Sequence, residues 1–218
     1  MLRLDATRPR VLQSPYSIVD TRNMIFKRPF IFIRHGESEG NKLGICQGHL
    51  DYPLTPLGRA QAEEAAKVIP SSIGTLSIFA SSLKRASETA DIISRRLSCP
   101  ALQILDGLRE RTWGELDGSS RDIIPVWRSK EAELDGLSSS SIAGFEKRSD
   151  FIARITATMN EILSQQHDQL PLVVGHGEFF HSLCKLLEIK NVDEVSNCRP
   201  ALCAPNAEGW SITWMVAA

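Results

Sequence analysis

The chain has 218 residues, of which 42% are hydrophobic and 23% charged, and its formal net charge is −1. That balance gives no global field for nucleic acid or for an acidic membrane surface, and no apolar run reaches the ~18 residues of a membrane span. Five cysteines without a CxxC pair argue against a disulfide framework or a zinc site, and fit a reducing cytosol.

Residues 1–29 carry six basic and two acidic side chains and lack the apolar core of a secretory signal. They read as an N-terminal extension ahead of a single domain over 30–218. Short apolar runs follow at 30–34 (FIFIR), 76–80 (LSIFA), 102–105 (LQIL) and 171–175 (PLVVG), each bounded by polar or glycine-containing turns. This is the pattern of buried parallel strands. Between them lie helical patterns. The first opens on Thr55-Pro56, an N-cap with proline at the first helical position, and carries Ala62, Ala65, Ala66 and Ile69 as its apolar stripe. A second starts near Ser81 or Ser82 and runs to about Leu97. A third covers about 145–165, and a fourth follows Gly177 to about Ile189. The Ser-rich stretch at 135–144 reads as a loop, and the tail from Leu202 as two short strands around Asn206-Ala207-Glu208-Gly209. Strands alternating with helices predict an α/β domain with a largely parallel sheet.

In such sheets, sites form beyond the carboxyl ends of the strands. Arg34 and His35 follow the first run, Arg85 falls in the turn after the second, Glu110 follows the third, and His176 and Gly177 follow the fourth. The spacing therefore predicts two histidines, two arginines and a glutamate at one sheet edge. Arginine in a helix's first turn opposes the helix dipole unless an anion is bound there. Two guanidinium forks suit phosphate oxygens. A neutral histidine is a competent nucleophile, and the start of the helix at Gly177 offers backbone N–H groups to an oxyanion. A glutamate with a raised pKa can protonate a leaving oxygen. The set describes phosphoryl transfer by positioning and charge stabilisation, without an evident metal.

"RHGESEGN" at 34–41 resembles the RHGxxxxN motif of the histidine phosphatases, the phosphoglycerate mutase-like superfamily. The resemblance continues through "GHLDYPLTPLGRAQA", "SSLKRASETA", "LRERTWGELDG" and "VVGHGE", in order, over nearly all of 30–216. It implies a three-layer α/β fold with a mostly parallel central sheet and helices on both faces, and no cofactor or metal. It implies His35 as the nucleophile that becomes phosphohistidine. Arg34, Arg85 and His176 would hold the phosphoryl group, and Glu110 would act as general acid and then base. Asn41 and the Gly177 backbone would contact phosphate, and Gln47 and Gly48 would lie in the substrate loop. The implied partner is a small phosphorylated metabolite, with neither nucleic acid nor membrane, in the cytoplasm.

Other residues have plainer expectations. Glu37 should fix its loop, His181 should be a packed or surface histidine, His167 solvated, and Arg95-Arg96 a solvated helix end. His49 could line the pocket or not. Trp113 should pack beside Glu110, and Cys46 needs no reactive role. Phosphatase and mutase share the first half-reaction. "ERTWGELDGSSR" partly resembles the mutase block, but only 66 residues separate Glu110 from His176, where cofactor-dependent mutases resemble one another in a longer insertion. Hydrolysis is the expected activity, with mutase chemistry as the alternative. An inactive phosphoprotein-binding module is a second alternative, and it should lack one of the five residues.

Overall fold

A computed structural model describes residues 24–99, 102–122, 142–165, 168–190, 192 and 195–216. Six strands form one sheet: β1 (Phe30–Arg34), β2 (Leu76–Ser81), β3 (Leu102–Leu105), β4 (Leu170–Gly175), β5 (Ala201–Asn206) and β6 (Gly209–Trp214), in the order β3-β2-β4-β1-β5-β6. β1, β2, β3 and β4 pair in parallel, while β5 pairs antiparallel with β1 and with β6. The registers Arg34↔Gly175 and Ser81↔Leu105 bring the carboxyl ends of four strands to one edge.

The helices are α1 (Glu39–Lys42), α2 (Pro56–Val68), α3 (Lys84–Arg96), α4 (Arg148–Ser164) and α5 (Gly177–Leu186). Strand alternation divides the core into two layers. Phe30 and Phe32 of β1, with Phe79 and Val173, pack against Phe151, Ile155 and Met159 of α4 and Phe179, Phe180 and Leu183 of α5. Ile31 and Ile33, with Ile78, Leu172 and Val174, meet Ala62, Ala65 and Ala66 of α2 and Ala86, Ala90 and Ile93 of α3. The sheet is thus the middle of three layers, as expected. The alanine stripe lets α2 lie close, and aromatic side chains fill the opposite layer. Among the described residues, no helix is long and apolar enough to cross a membrane.

Several local expectations need correction. The run at 102–105 is an edge strand rather than a buried one, and Ile104 is 48% exposed. Ser81 closes β2, and α3 begins at Lys84 with Leu83 as a cap that offers no side-chain hydrogen bond. The short α1 was not expected. Ser38 and Asn41 close it with a capping box, each side chain bonding the other's backbone N–H. The cap at Thr55 is as read: its hydroxyl accepts from Gly58 N at 3.0 Å. Residues 24–29 dock on α4, where Asn160 pairs with both Phe26 N and Met24 O at 2.8 Å. Arg28 also donates to the carbonyls of Leu163 and Gln165 at the end of that helix and of Gln169 just before β4. Residues 1–23, His167 and most of the Ser-rich stretch lie outside the described residues.

Candidate active site

β1 ends in Arg34, and His35 leaves the sheet edge with its N–H donated to Gly175 O at 3.0 Å. The His35 carbonyl accepts from Asn197 Nδ2 at 2.6 Å, and its ring Nδ1 lies 2.7 Å from Gly36 O. A carbonyl only accepts, so Nδ1 carries the proton and Nε2 holds a free lone pair. Gly36 is fixed by the Thr89 hydroxyl, which accepts its N–H at 3.0 Å and donates to Arg85 O at 2.6 Å. A Cβ on Gly36 would stand 2.4 Å from Gly58 O, so glycine is required for β1 to meet the start of α2. Glu37 does fix its loop: its carboxylate accepts from Thr55 Oγ1 at 2.8 Å.

The other expected residues converge on this point. The His176 ring sits 5.2 Å from that of His35, and its Nε2 meets Ser81 Oγ at 2.8 Å. Arg85 is 1% exposed and spends Nη1 on Leu50 O at 2.8 Å and Nη2 on Gly48 O at 2.9 Å. Arg34 donates from Nη1 to Val195 O at 2.6 Å, and its guanidinium lies against Gly177, the first residue of α5. Two buried nitrogens, Arg85 Nε and His176 Nδ1, have no hydrogen-bond partner among the described residues. Such orphans cost about 1–3 kcal/mol each unless something else satisfies them.

Glu110 caps α5. Its carboxylate accepts from Glu178 N at 3.1 Å, Phe179 N at 3.0 Å and Arg111 N at 3.0 Å. The expectation that this helix start is open to an oxyanion is therefore only partly met, because Glu110 takes two of its N–H groups. Burial pushes the Glu110 carboxyl above the ordinary carboxylate range, and the Glu178 charge adds to it. Backbone hydrogen bonds and Arg85 pull the other way. Both His35 and His176 are held well below the usual imidazole pKa, first by burial and then by the charge of Arg85. The rings are neutral at physiological pH.

A cavity of about 800 Å³ opens beside them; His176, fully buried, is not among the residues that line it. Arg34, His35, Arg85, Glu110 and Gly177 line one part; Asn41, Gln47 and Gly48 line its side. Asn41 Oδ1 is engaged by Ser38, and Gln47 Oε1 accepts from Ser38 Oγ at 2.8 Å. The loop carrying Gly48 is clasped to the Glu110 segment by Asp117, whose carboxylate accepts from His49 N, Thr112 Oγ1 and Trp113 N, each at 2.9 Å. His49 turns its ring Nε2 to Glu110 O at 2.8 Å. His181, expected to be a bystander, lines the cavity, together with Trp113, Arg121 and Glu178. Trp113 also packs as read, edge-on to Phe145 with centroids 5.9 Å apart. Cys46 borders the cavity, yet burial and the charges of Asp117 and Glu110 push its thiol up to about 12. Arg95 pairs with Asp91 at 2.9 Å on an exposed helix end, as read.

Ser81, Thr89, Asn197 and Asp117 hold the candidate groups in place, and no motif of the sequence marks them for that role. Ser81 and Thr89 stand inside a stretch already singled out, but their roles depend on which strand end faces which helix.

A three-layer sheet that gathers two neutral histidines and two guanidiniums at its carboxyl edge defines a site for an anionic, electrophilic group. The match to known proteins is specific: residues 30–215 fit the model of the histidine phosphatase superfamily (branch 1), and the chain belongs to that family. It is 30% identical over 158 residues to phosphoglycerate mutase-like protein 4 of Arabidopsis thaliana, covering 70% of this chain and 68% of that protein. It is 28% identical over 186 residues to the uncharacterized phosphatase PhoE of Bacillus subtilis, covering 84% and 90%. The structure is also similar to a mycobacterial glucosyl-3-phosphoglycerate phosphatase solved with VO3, with a TM-score of 0.68 and 25% identity over 88% of this chain and 100% of that one.

Proposed function

We propose that the protein hydrolyses phosphomonoesters of small metabolites through a phosphohistidine on His35. The observation that carries this reading is the Nδ1–H of His35 committed to Gly36 O, which leaves Nε2 unprotonated on a ring that borders the cavity. In the first step the Nε2 lone pair forms the N–P bond as the P–O bond to the leaving group breaks, and the leaving oxygen takes the proton of Glu110. In the second step a water attacks phosphorus and gives its proton to the Glu110 carboxylate. The N–P bond breaks and its electron pair returns to Nε2. Arg34, Arg85 and His176 hold the phosphoryl oxygens. A bound phosphoryl group would supply acceptors for Arg85 Nε and His176 Nδ1, which lack partners among the described residues. Asn41, Gln47, Gly48 and the Gly177 backbone form the rest of the binding wall. Relatives carrying phosphatase names support hydrolysis, and the five free cysteines support a reducing, cytoplasmic setting.

Turnover of p-nitrophenyl phosphate, with trapping of a base-stable, acid-labile phosphoenzyme by an alkaline denaturing quench, tests the reading. His35→Ala should lose both, and retention of full hydrolysis by that variant would overturn it. Mutase chemistry is the second reading, favoured by the mutase-like relative. It requires interconversion of 3- and 2-phosphoglycerate faster than phosphate release.

A further inference from the structure

The guanidinium of Arg154, on α4, makes five hydrogen bonds, and a guanidinium has five N–H donors. Nε and Nη2 grip the two carboxylate oxygens of Glu146 at 2.8 and 2.7 Å. Nη1 donates to Gly107 O at 2.9 Å and to Arg109 O at 2.8 Å, and Nη2 reaches Glu110 O at 3.3 Å. Three carbonyls of the turn that carries Glu110 therefore converge on one side chain. Glu146 is itself tied to the same segment. Its N–H donates to Thr112 O at 3.1 Å, and its carbonyl accepts from Arg111 Nε at 3.0 Å. The Arg154 guanidinium also lies 4.9 Å from the Phe151 ring centroid, which fixes its plane. Below it, Gly107 is pressed so closely on Thr158 that a Cβ would stand 2.1 Å from Thr158 Oγ1. α4 does not border the cavity, yet it dictates the backbone from which the Glu110 carboxyl projects.

We propose that Arg154, with Glu146, is a positioning residue for Glu110, setting where its carboxyl meets the leaving-group oxygen. This rests on the reading of Glu110 as the general acid. The consequence is specific. A misplaced acid slows reactions whose leaving group needs a proton and spares those whose leaving group departs as a stable anion. A lysine, with three donors on a rotating head, cannot span the same acceptors.

The test measures kcat/KM, which reports the first half-reaction and not the common second step in which Glu110 acts as base, over a series of phosphate esters running from p-nitrophenyl through phenyl to an alkyl ester, for the wild type, Glu110→Gln, Arg154→Met and the double variant. Glu110→Gln should lose activity steeply towards the alkyl ester. Arg154→Met should follow the same trend, losing about 10- to 100-fold on the alkyl ester and under about 3-fold on p-nitrophenyl phosphate. In the Glu110→Gln background, Arg154→Met should cost nothing further on the alkyl ester. An equal loss across the series, no loss, or full additivity in the double variant overturns the role of Arg154 while leaving Glu110 as the acid. A flat profile for Glu110→Gln overturns both. Should Arg154→Met fail to fold by circular dichroism, Glu146→Gln carries the test. It keeps the guanidinium and weakens its grip, and must give a smaller loss with the same leaving-group trend.

Discussion

Gly36→Ala probes the contact on which the site's placement depends. A methyl there would sit 2.4 Å from the oxygen, 2.9 Å from the carbon and 3.1 Å from the Cα of Gly58, all backbone atoms, whereas ordinary contact begins at 3.4 Å. The strand end and the start of α2 must separate by about 1 Å, and no flexible side chain can absorb that. Overpacking of this kind costs about 1–3 kcal/mol, which for a chain of this size lowers Tm by about 3–10 °C. The larger effect falls on chemistry. Gly36 O holds His35 Nδ1, and Gly36 N is held by Thr89, so the displacement is passed to the imidazole. A 1 Å misplacement of a reacting group costs about 10²-fold, so kcat for p-nitrophenyl phosphate should fall by about that factor, with a thermal melt recorded in parallel. Gly74→Ala is the control: its φ is +89°, but a Cβ there meets nothing within 4 Å. With ψ at −164° it should cost about 1–3 kcal/mol through backbone strain alone and leave kcat unchanged. Near-wild-type kcat in Gly36→Ala, or equal loss of kcat in both variants, would refute the reasoning.

Stability should fall on acidification below the ordinary histidine pKa of 6.5. His35 and His176 resist protonation in the fold and accept it when unfolded, so each contributes up to about 1.4 kcal/mol per pH unit, lost as pH drops from 6.5 towards the folded values. Glu110, with its pKa raised, acts in the opposite sense above its ordinary value and offsets part of this. Urea titrations at pH 7, 6 and 5 measure the slope; a flat or inverted profile would show that the histidines are not held neutral. Cys46 should resist iodoacetamide at pH 8 although it borders the cavity, because its thiol titrates near 12. Peptide mass spectrometry should find Cys99, the least buried of the five, labelled first.

How far the sequence reveals this molecule depends on the range of the interaction concerned. The strand ends and the groups that follow them were legible because a parallel sheet forces its carboxyl ends to one edge, so Arg34, His35, Arg85, Glu110 and His176 could be brought together without coordinates. The cap at Thr55-Pro56 was legible because capping is local. The exposure of β3 was not: an apolar run does not say whether a further strand lies beside it, and here none does among the described residues. The use of the α5 amides was also hidden. Gly177 marks a helix start, but only the packed structure brings a carboxylate 68 residues away in sequence onto Glu178 N. That His181 borders the cavity was hidden too, because helical spacing places it one turn beyond Gly177 without saying which way that turn faces.

The electrostatics of the site follow from the same burial that makes its residues hard to classify. Arg85 is fully enclosed, and burial lowers its pKa to about 10, so it remains charged at neutral pH. Its charge, with that of Arg34, opposes protonation of both histidines. In the proposed mechanism, then, no dedicated base is needed to free the nucleophile: burial first, and then the guanidiniums that would receive the phosphoryl oxygens, keep Nε2 unprotonated before the substrate arrives. Glu110 completes the arrangement from the other direction. Three backbone N–H groups hold its carboxylate in place and favour its charged form, while burial and Glu178 favour the protonated one. A carboxyl balanced between these influences can give a proton in one half-reaction and take one in the next, which is what a double displacement at phosphorus asks of it.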